Sequence, residues 1–340
     1  MTQVRFGIVG TGMIANALAD AIAQSELAIL GAVSSRNMEN ARKFVSKRPN
    51  VTPIEGVDSL IARSDIDALY IATPTSAKEQ IALHAIGAGK HVIVEKPFVS
   101  RESVARMTSA AAARGVAFMD ATHFVHHPRT AAIQSSIPAR IGSPQSLHTS
   151  LYFPFSTRDN IRFDPAQEPM GMLGDLGWYS ARAIVEYLRP QGRITNATTC
   201  TQIDEPTGAV IRACGMLAFE SGEVSTFDVG VTAGTVLMDL QLLGTTGVIS
   251  LDDFVLDWTN SWSFRHPDIK TGYTHRTAAA TPKDFAFIKT HATKRQEIQM
   301  IDTFAQIVAS RDTLIAETHA SASRKTQEYL DAMWAAARSQ

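Results

Sequence analysis

The chain has 340 residues, of which 45% are hydrophobic and 19% are charged, and its formal net charge is −1. This length exceeds one typical hydrophobic core and predicts two domains. The small net charge gives no electrostatic reason to bind nucleic acid or an anionic membrane, and no apolar run is long enough to span a bilayer. The chain has only two cysteines, and its first predicted strand begins at Val4, which leaves no room for a signal peptide. Both observations favour a cytoplasmic protein.

The first motif is a glycine-rich turn between a buried strand, residues 4–9, and an alanine-rich helix of about residues 13–24. In this setting it is the fingerprint of a dinucleotide-binding turn, in the variant with alanine in third place. The first glycine permits the tight turn, and the second lets the backbone approach the pyrophosphate at the helix N-terminus. The predicted cofactor-binding run is Gly10-Thr11-Gly12-Met13-Ile14, followed by Ala15, which keeps helix and strand close.

The end of the second predicted strand, residues 27–33, indicates which dinucleotide binds. An NAD site usually places a carboxylate there for the ribose 2′-hydroxyl, whereas this chain has Ser34-Ser35-Arg36-Asn37. Hydroxyls and a guanidinium accept a 2′-phosphate, so we expect NADP(H) rather than NAD(H), with Ser35 and Arg36 as contacts. The alternative is that Ser35 and Asn37 only cap the helix that begins near Met38.

Two more strand–helix units follow. A strand over residues 67–72 ends at Thr73-Pro74, and a helix capped by Thr75 or Ser76 runs to about residue 87. A strand over residues 91–94 then stops at Glu95-Lys96-Pro97, because proline cannot continue a ladder.

A helix of about residues 103–114 and a strand over 116–119 complete this alternating pattern, which predicts a doubly wound parallel Rossmann sheet. Ligands bind at the carboxyl ends of such strands. We therefore expect Thr73, Pro74, Glu95 and Lys96 to lie on the same edge as the glycine-rich turn.

After about residue 122 the pattern changes to that of an α+β domain. We assign residues 1–122 to the Rossmann domain and residues 123–340 to a second domain for substrate binding and oligomerisation. Alternation over residues 209–251 predicts a large, mostly antiparallel sheet in the form of a meander, and residues 258–284 resemble an extended loop. Further predicted elements are a strand at 146–155 and helices at 128–137, 172–188, 294–310 and 323–338.

Asp175 and Tyr179 are four residues apart on a predicted helix, so their side chains share one face. Read alone, this pair favours a core tyrosine and a capping aspartate.

The combination of motifs resembles the glucose-fructose oxidoreductase / inositol dehydrogenase / rhizopine-catabolism (Gfo/Idh/MocA) family over essentially the whole chain. The resemblance is greatest to the branch with dimeric dihydrodiol dehydrogenase, NADP-dependent xylose dehydrogenase and plant oxidoreductases of the glucose-fructose type. The matching segments are 10–15, 72–75, 95–97, 174–179 and 323–326.

The resemblance implies an NADP-dependent dehydrogenase or reductase of a CH–OH or C=O carbon in a sugar, polyol or dihydrodiol. It places Tyr179 as general acid/base and matches Lys96 and Asp175 to the other two active-site positions. A free tyrosine has a pKa of about 10, and lowering it by two units requires roughly 2.7 kcal/mol. One ammonium at about 4 Å supplies on the order of 1–4 kcal/mol, so we expect Lys96 to favour the phenolate and Asp175 to orient Lys96 or the substrate hydroxyl.

Further substrate contacts are expected near the domain junction and before the Asp175 helix. His123 and Phe124 occupy the junction, where relatives carry cleft residues, and Asn160 and Arg162 lie in a loop that usually borders the substrate. The chain departs from the family at Lys78, where relatives often have histidine. The second-domain sheet is a plausible surface for a homo-oligomer, a dimer or tetramer, since relatives associate through it.

Two other interpretations remain open. Asp120, His123, His126 and His127 could bind a metal, although His-x-x-His spacing on an irregular segment is unspecific and we expect no metal. A catalytically silent regulator that binds the dinucleotide is the second alternative. The sequence does not specify which sugar, polyol or dihydrodiol reacts, or in which direction.

Overall fold

The computed structural model describes residues 3–155 and 157–339, so the outermost residues of both predicted domains and Ser156 lie outside the described residues. By internal contacts the chain forms two compact units. Unit 1 comprises the chain up to Thr122 together with Gln296–Arg324, and unit 2 comprises His123–Arg295 together with the chain from Lys325 onward. Within the described ranges, no helix is long and apolar enough to cross a membrane.

Unit 1 contains a six-stranded, all-parallel sheet of order β3-β2-β1-β4-β5-β6, as expected for a Rossmann fold. Strand β3 and helix α3 were not predicted. The elements are β1 Val4–Val9, α1 Met13–Ala23, β2 Ala28–Ser35, α2 Met38–Val45, β3 Thr52–Glu55, α3 Val57–Ile61, β4 Ala68–Ile71, α4 Thr75–Gly87, β5 His91–Val94, α5 Arg101–Arg114 and β6 Phe118–Asp120.

The parallel ladder places the ends of the central strands side by side. Backbone N–H groups just beyond the strands continue it: Gly10 donates to Ser34 at 2.9 Å, Ala72 to Val9 at 2.9 Å and Glu95 to Ile71 at 3.0 Å. The turns after β1, β4 and β5 therefore follow neighbouring strands on one edge of the sheet. This edge is where an open α/β sheet binds its ligand.

Unit 2 contains an eight-stranded sheet of order β14-β13-β12-β11-β7-β10-β9-β8. Its elements are α6 Pro128–Arg140, β7 Pro144–Tyr152, α7 Gly171–Ala183, β8 Ile194–Ile203, β9 Val210–Phe219, β10 Val224–Gly230, β11 Leu237–Gly244, β12 Gly247–Leu251, β13 Gly272–Thr277 and β14 Ala286–Lys289. Short 3-10 turns lie at His123–His126 and Ile161–Phe163, and α7 continues as one π-helical turn, Ile184–Leu188.

The sheet of unit 2 corrects two details of the sequence prediction. The predicted meander is interrupted because β7 inserts between β11 and β10 and pairs with β10 in parallel, whereas the other neighbouring strands are antiparallel. The segment expected to be an extended loop contains β13, which pairs with β12. Strands β8 and β14 were also not predicted.

Two helices close the chain, α8 Gln296–Ser310 and α9 Thr313–Arg338. The predicted second domain included α8, whereas the structure groups it with unit 1. The apolar face of α8 explains this, because Ile301 and Phe304 are fully buried in the core of unit 1. The ring of Phe304 lies 5.9 Å from that of Phe6 on β1.

Candidate active site

The glycine-rich turn of unit 1 has a backbone that only glycine adopts easily. Gly10 follows β1 with φ +109°, and a Cβ placed there would lie 2.6 Å from the carbonyl oxygen of Ala72. Thr11 completes the turn, and its carbonyl oxygen accepts a hydrogen bond from the Asn16 amide at 3.3 Å. The first glycine of the motif is therefore required by both conformation and space.

The start of α1 is open toward its surroundings. Gly12 is the N-cap residue and has no side-chain cap, and a Cβ placed on it would meet nothing within 4 Å. Met13 is 63% exposed and Ile14 is half-buried, whereas Ala15 is fully buried against the sheet. A helix N-terminus with open space in front of glycine suits an anion such as a pyrophosphate.

The end of β2 carries the residues expected to select the cofactor. Ser35 is half-buried at the last position of β2, and Arg36 is exposed immediately after it. Asn37 caps α2 and accepts a hydrogen bond from the backbone N–H of Glu39 at 2.7 Å, so the capping alternative holds for Asn37. The exposed guanidinium of Arg36 remains compatible with an anionic ligand.

Two buried hydroxyl groups on this edge are suited to hydrogen-bond a polar ligand. Among the described residues, the buried Oγ of Ser34 and Oγ1 of Thr73 have no hydrogen-bond partner. Such groups are costly unless a ligand or water satisfies them. Glu95 is buried and accepts a hydrogen bond from the Tyr70 hydroxyl. The open glycine turn and the two orphaned hydroxyls together fit a dinucleotide at this edge.

The turn after β5 is fixed by a buried lysine. Lys96 is half-buried, and its carbonyl oxygen accepts a hydrogen bond from Lys78 Nζ at 3.0 Å. Lys78 belongs to α4, which has Pro74 at its N-cap position and no side-chain cap, contrary to the expectation that Thr75 or Ser76 caps it. Thr75 instead accepts a hydrogen bond from Lys78 Nζ at 3.0 Å.

In unit 2, helix α7 carries the predicted aspartate and tyrosine, and every residue of this helix is buried. The Arg162 guanidinium holds Asp175 in a two-point ion pair, with Nε 2.5 Å from Oδ2 and Nη2 3.0 Å from Oδ1. Burial alone would lower the pKa of Arg162, but the Asp175 carboxylate raises it above its ordinary value. Asn160 supports this arginine by accepting a hydrogen bond from Nη1 at 3.3 Å.

Tyr179 meets two residues that precede α6. Its hydroxyl lies 3.1 Å from Nε2 of His123, and both side chains are buried. The ring of Phe124 lies 6.3 Å from the tyrosine ring. The sequence placed His123 and Phe124 in a substrate cleft; in addition, His123 is hydrogen-bonded to the candidate acid/base.

Asp120 and His127, two of the residues considered as a metal site, have other partners. Asp120 accepts hydrogen bonds from Thr122 and from Ser323 Oγ, the latter at 2.5 Å. His127 Nε2 lies 3.2 Å from Asp257 Oδ2. Within residues 3–155 and 157–339, no group of three or more histidine, cysteine or acidic side chains could hold a metal ion.

Comparison with known proteins gives matches in both halves of the chain. Residues 4–122 match the family model described as an oxidoreductase family with an NAD-binding Rossmann fold. Residues 138–250 match the model of the GFO/IDH/MocA C-terminal domain.

Similar proteins include several named oxidoreductases. The dTDP-3,4-didehydro-2,6-dideoxy-alpha-D-glucose 3-reductase of Streptomyces violaceoruber is 31% identical over 73% of this chain and 72% of that protein. The NADP(+)-dependent scyllo-inositol 2-dehydrogenase of Bacillus subtilis is 28% identical over 74% of this chain and 76% of its own length. A crystal structure of a 3-ketoreductase from Actinomadura kijaniata, in complex with NADP and TDP-benzene, has the same fold, with a TM-score of 0.86, 23% identity and 98% coverage of both chains.

Proposed function

The chain belongs to the Gfo/Idh/MocA oxidoreductase family, and on this premise we propose that it is an NADP(H)-dependent dehydrogenase or reductase. Its substrate is a sugar, polyol or dihydrodiol that reacts at a CH–OH or C=O carbon. The names of its relatives support this class, because they include a keto-sugar reductase, an inositol dehydrogenase and a D-xylose 1-dehydrogenase.

The residues that would hold the cofactor lie on the ligand-binding edge of unit 1. The segment from Gly10 to Ile14 would bind the pyrophosphate at the start of α1, and Ser35 and Arg36 would bind the 2′-phosphate. Thr73, Pro74, Glu95 and Lys96 border the same edge, after β4 and β5. When bound, NADP(H) supplies or accepts the hydride at nicotinamide C4.

The observation that carries the proposal is the buried hydrogen bond between Tyr179 and His123, at 3.1 Å. In the oxidation direction Tyr179 takes the proton of the substrate hydroxyl, and in the reduction direction it donates a proton to the carbonyl oxygen. His123 holds the tyrosine oxygen in place at hydrogen-bond distance, and the tautomer of its ring determines which of the two groups donates. Lys96 assists as the cation that favours the phenolate.

Asp175 takes an orienting role in this proposal. An ionised carboxylate one helical turn from Tyr179 would oppose formation of the phenolate, because like charges repel. The two-point pair with Arg162 offsets this repulsion while keeping the carboxylate in place. Phe124, Asn160 and Arg162 are proposed substrate contacts, although Asp175 and Asn160 already engage much of the Arg162 guanidinium.

A homo-oligomer through the sheet of unit 2 is part of the proposal. Large apolar side chains on this sheet are exposed, including Ile203 at 46%, Leu243 at 49% and Phe287 at 41%. Light scattering on the purified protein decides this point, since a monomer at micromolar concentration would contradict it.

The function is tested by turnover of NADP(H) with a panel of aldoses, inositols, dihydrodiols and nucleotide-linked keto-sugars. We expect at least one member of the panel to give absorbance change at 340 nm that Tyr179→Phe abolishes. NADPH binding without turnover of any member would favour the alternative, a regulator that binds the dinucleotide. Activity that a chelator removes would instead indicate metal-dependent chemistry.

A further inference from the structure

Lys78 is a buried lysine that donates hydrogen bonds to the backbone of the Lys96 turn. Its exposed fraction is 3%, although lysine is rarely buried to this extent. Nζ lies 3.0 Å from the carbonyl oxygen of Lys96 and 2.9 Å from that of Pro97. A third acceptor, Thr75 Oγ1, lies at 3.0 Å.

The oxygens around Lys78 Nζ can accept hydrogen bonds from all its donors and form a small hydrogen-bond network with it. An ammonium has three N–H donors, and these three oxygens lie at hydrogen-bond distance from it. The Thr75 hydroxyl accepts from Lys78 and can donate to the Pro97 carbonyl oxygen at 3.4 Å. Because a buried ammonium is costly unless it is hydrogen-bonded, this network holds the turn firmly against α4.

We propose that Lys78 is a positioning residue for Lys96. By fixing the carbonyl groups of Lys96 and Pro97, it sets the backbone from which the Lys96 side chain leaves the sheet edge. The inference rests on the proposed function, in which Lys96 assists Tyr179. A histidine at this position would offer at most two donors on a shorter side chain, so Lys78 holds the turn at more points.

The test compares Lys78→Met with a matched control. Methionine keeps the apolar stem and removes all three donors. Lys90→Met is the control, because Lys90 Nζ also donates to two backbone carbonyls of unit 1, those of Arg63 and Ile66, both at 2.7 Å. Lys90 precedes β5, at the end of the strand opposite the Lys96 turn.

We expect Lys78→Met to lower kcat at least tenfold and to move the pH at which kcat is half-maximal. The Kd for NADPH should stay within threefold of wild type, and Lys90→Met should leave kcat unchanged. Lys78→Arg, which keeps a cation with several donors, should recover part of the rate and return the pH profile toward wild type. If Lys78→Met does not fold, Lys78→Arg and Lys78→His are compared instead, and we expect the larger loss of kcat in Lys78→His.

A second readout does not depend on turnover. Acylation of the Lys96 amine by a lysine-reactive ester, followed by peptide mass spectrometry, should change at least threefold in rate in Lys78→Met and remain unchanged in Lys90→Met. If wild-type protein turns over no substrate, the proposed function fails, and the Lys96 labelling rate still tests the positioning role. An unchanged labelling rate, or normal kcat in Lys78→Met, would overturn the proposal.

Discussion

The ion pair between Arg162 and Asp175 gives the most informative prediction about the candidate site. The Arg162 side chain is 26% exposed and that of Asp175 is 12% exposed, so the pair is neither a surface bridge nor a fully buried one. Exposed pairs contribute up to about 1 kcal/mol, and breaking a buried pair costs about 3–5 kcal/mol. Arg162→Met should therefore lower the free energy of unfolding by about 2 kcal/mol, between these limits.

The same substitution should alter the pH dependence of activity. Asp175 and Tyr179 are one helical turn apart, where side chains are separated by about 6 Å. At an effective dielectric of about 20, an unpaired carboxylate at this distance opposes the phenolate by roughly 2.8 kcal/mol at most, or about two pKa units. Because Arg162 is partly solvated, water screens the charges at this position. We therefore expect the apparent pKa of the catalytic base, read from the pH dependence of kcat/KM, to rise by about one unit.

The assay is chemical unfolding followed by tryptophan fluorescence, together with a pH profile of kcat/KM. Fluorescence reports on unit 2 because all four tryptophans lie in it, at positions 178, 258, 262 and 334.

The control is Arg158→Met, which breaks a pair with Asp204 in which the arginine side chain is 59% exposed, and it should destabilise unit 2 less. Adding Asp175→Asn to Arg162→Met removes the unpaired charge and should return the pH limb toward wild type. A pH limb that does not move in Arg162→Met would refute the electrostatic reasoning, even if stability falls.

Three further substitutions test the cofactor-binding edge of unit 1 and the buried histidine of unit 2. Gly10→Ala should weaken NADPH binding at least tenfold in a fluorescence titration, because φ is +109° and the new Cβ would lie 2.6 Å from Ala72 O; an unchanged Kd would contradict this. Arg36→Ala should raise the KM for NADP about tenfold and leave the KM for NAD unchanged. Equal use of both cofactors by the wild-type protein would contradict the NADP assignment. Burial lowers the pKa of His127 below its ordinary 6.5 despite the contact with Asp257. The unfolded chain therefore binds this proton more readily, and stability should fall as pH drops below about 6.5. His127→Gln should show a smaller loss of urea midpoint between pH 7.5 and 5.5, and an equal loss would argue against it.

The sheet of unit 1 was predictable because its central strands are short apolar runs that end at turn residues. Strand β5 has this form, with three of its four residues buried. Strand β3 and helix α3 were missed because they have four and five residues, too few for a period to be recognised.

The sheet of unit 2 was less predictable because its order depends on pairing between distant segments. Strand β7 is separated by more than seventy residues from its partners β10 and β11, as in the pair Leu147 and Ser225. Alternation indicates which face of a strand is buried but not which strand lies beside it. Strand β13, with the polar sequence Gly272–Thr277, lacks the apolar alternation that would have identified it.

The sequence indicates candidate residues for the site but not the contacts between them. Asp175 and Tyr179 share a helical face, which sequence spacing reveals. The pair of Arg162 with Asp175 and the bond of His123 to Tyr179 span 13 and 56 residues, and no local period encodes them. Lys78 was noticeable only as a departure from a family pattern, and its burial gives that departure a physical meaning.

The central claim is that Tyr179 exchanges a proton with the substrate in an NADP(H)-dependent reaction. The most direct measurement is kcat of Tyr179→Phe with the best substrate of the panel, alongside its Kd for NADPH. We expect a loss of kcat of at least a hundredfold with NADPH binding within threefold of wild type, since phenylalanine keeps the ring and removes only the hydroxyl. Near-normal turnover by Tyr179→Phe would contradict it.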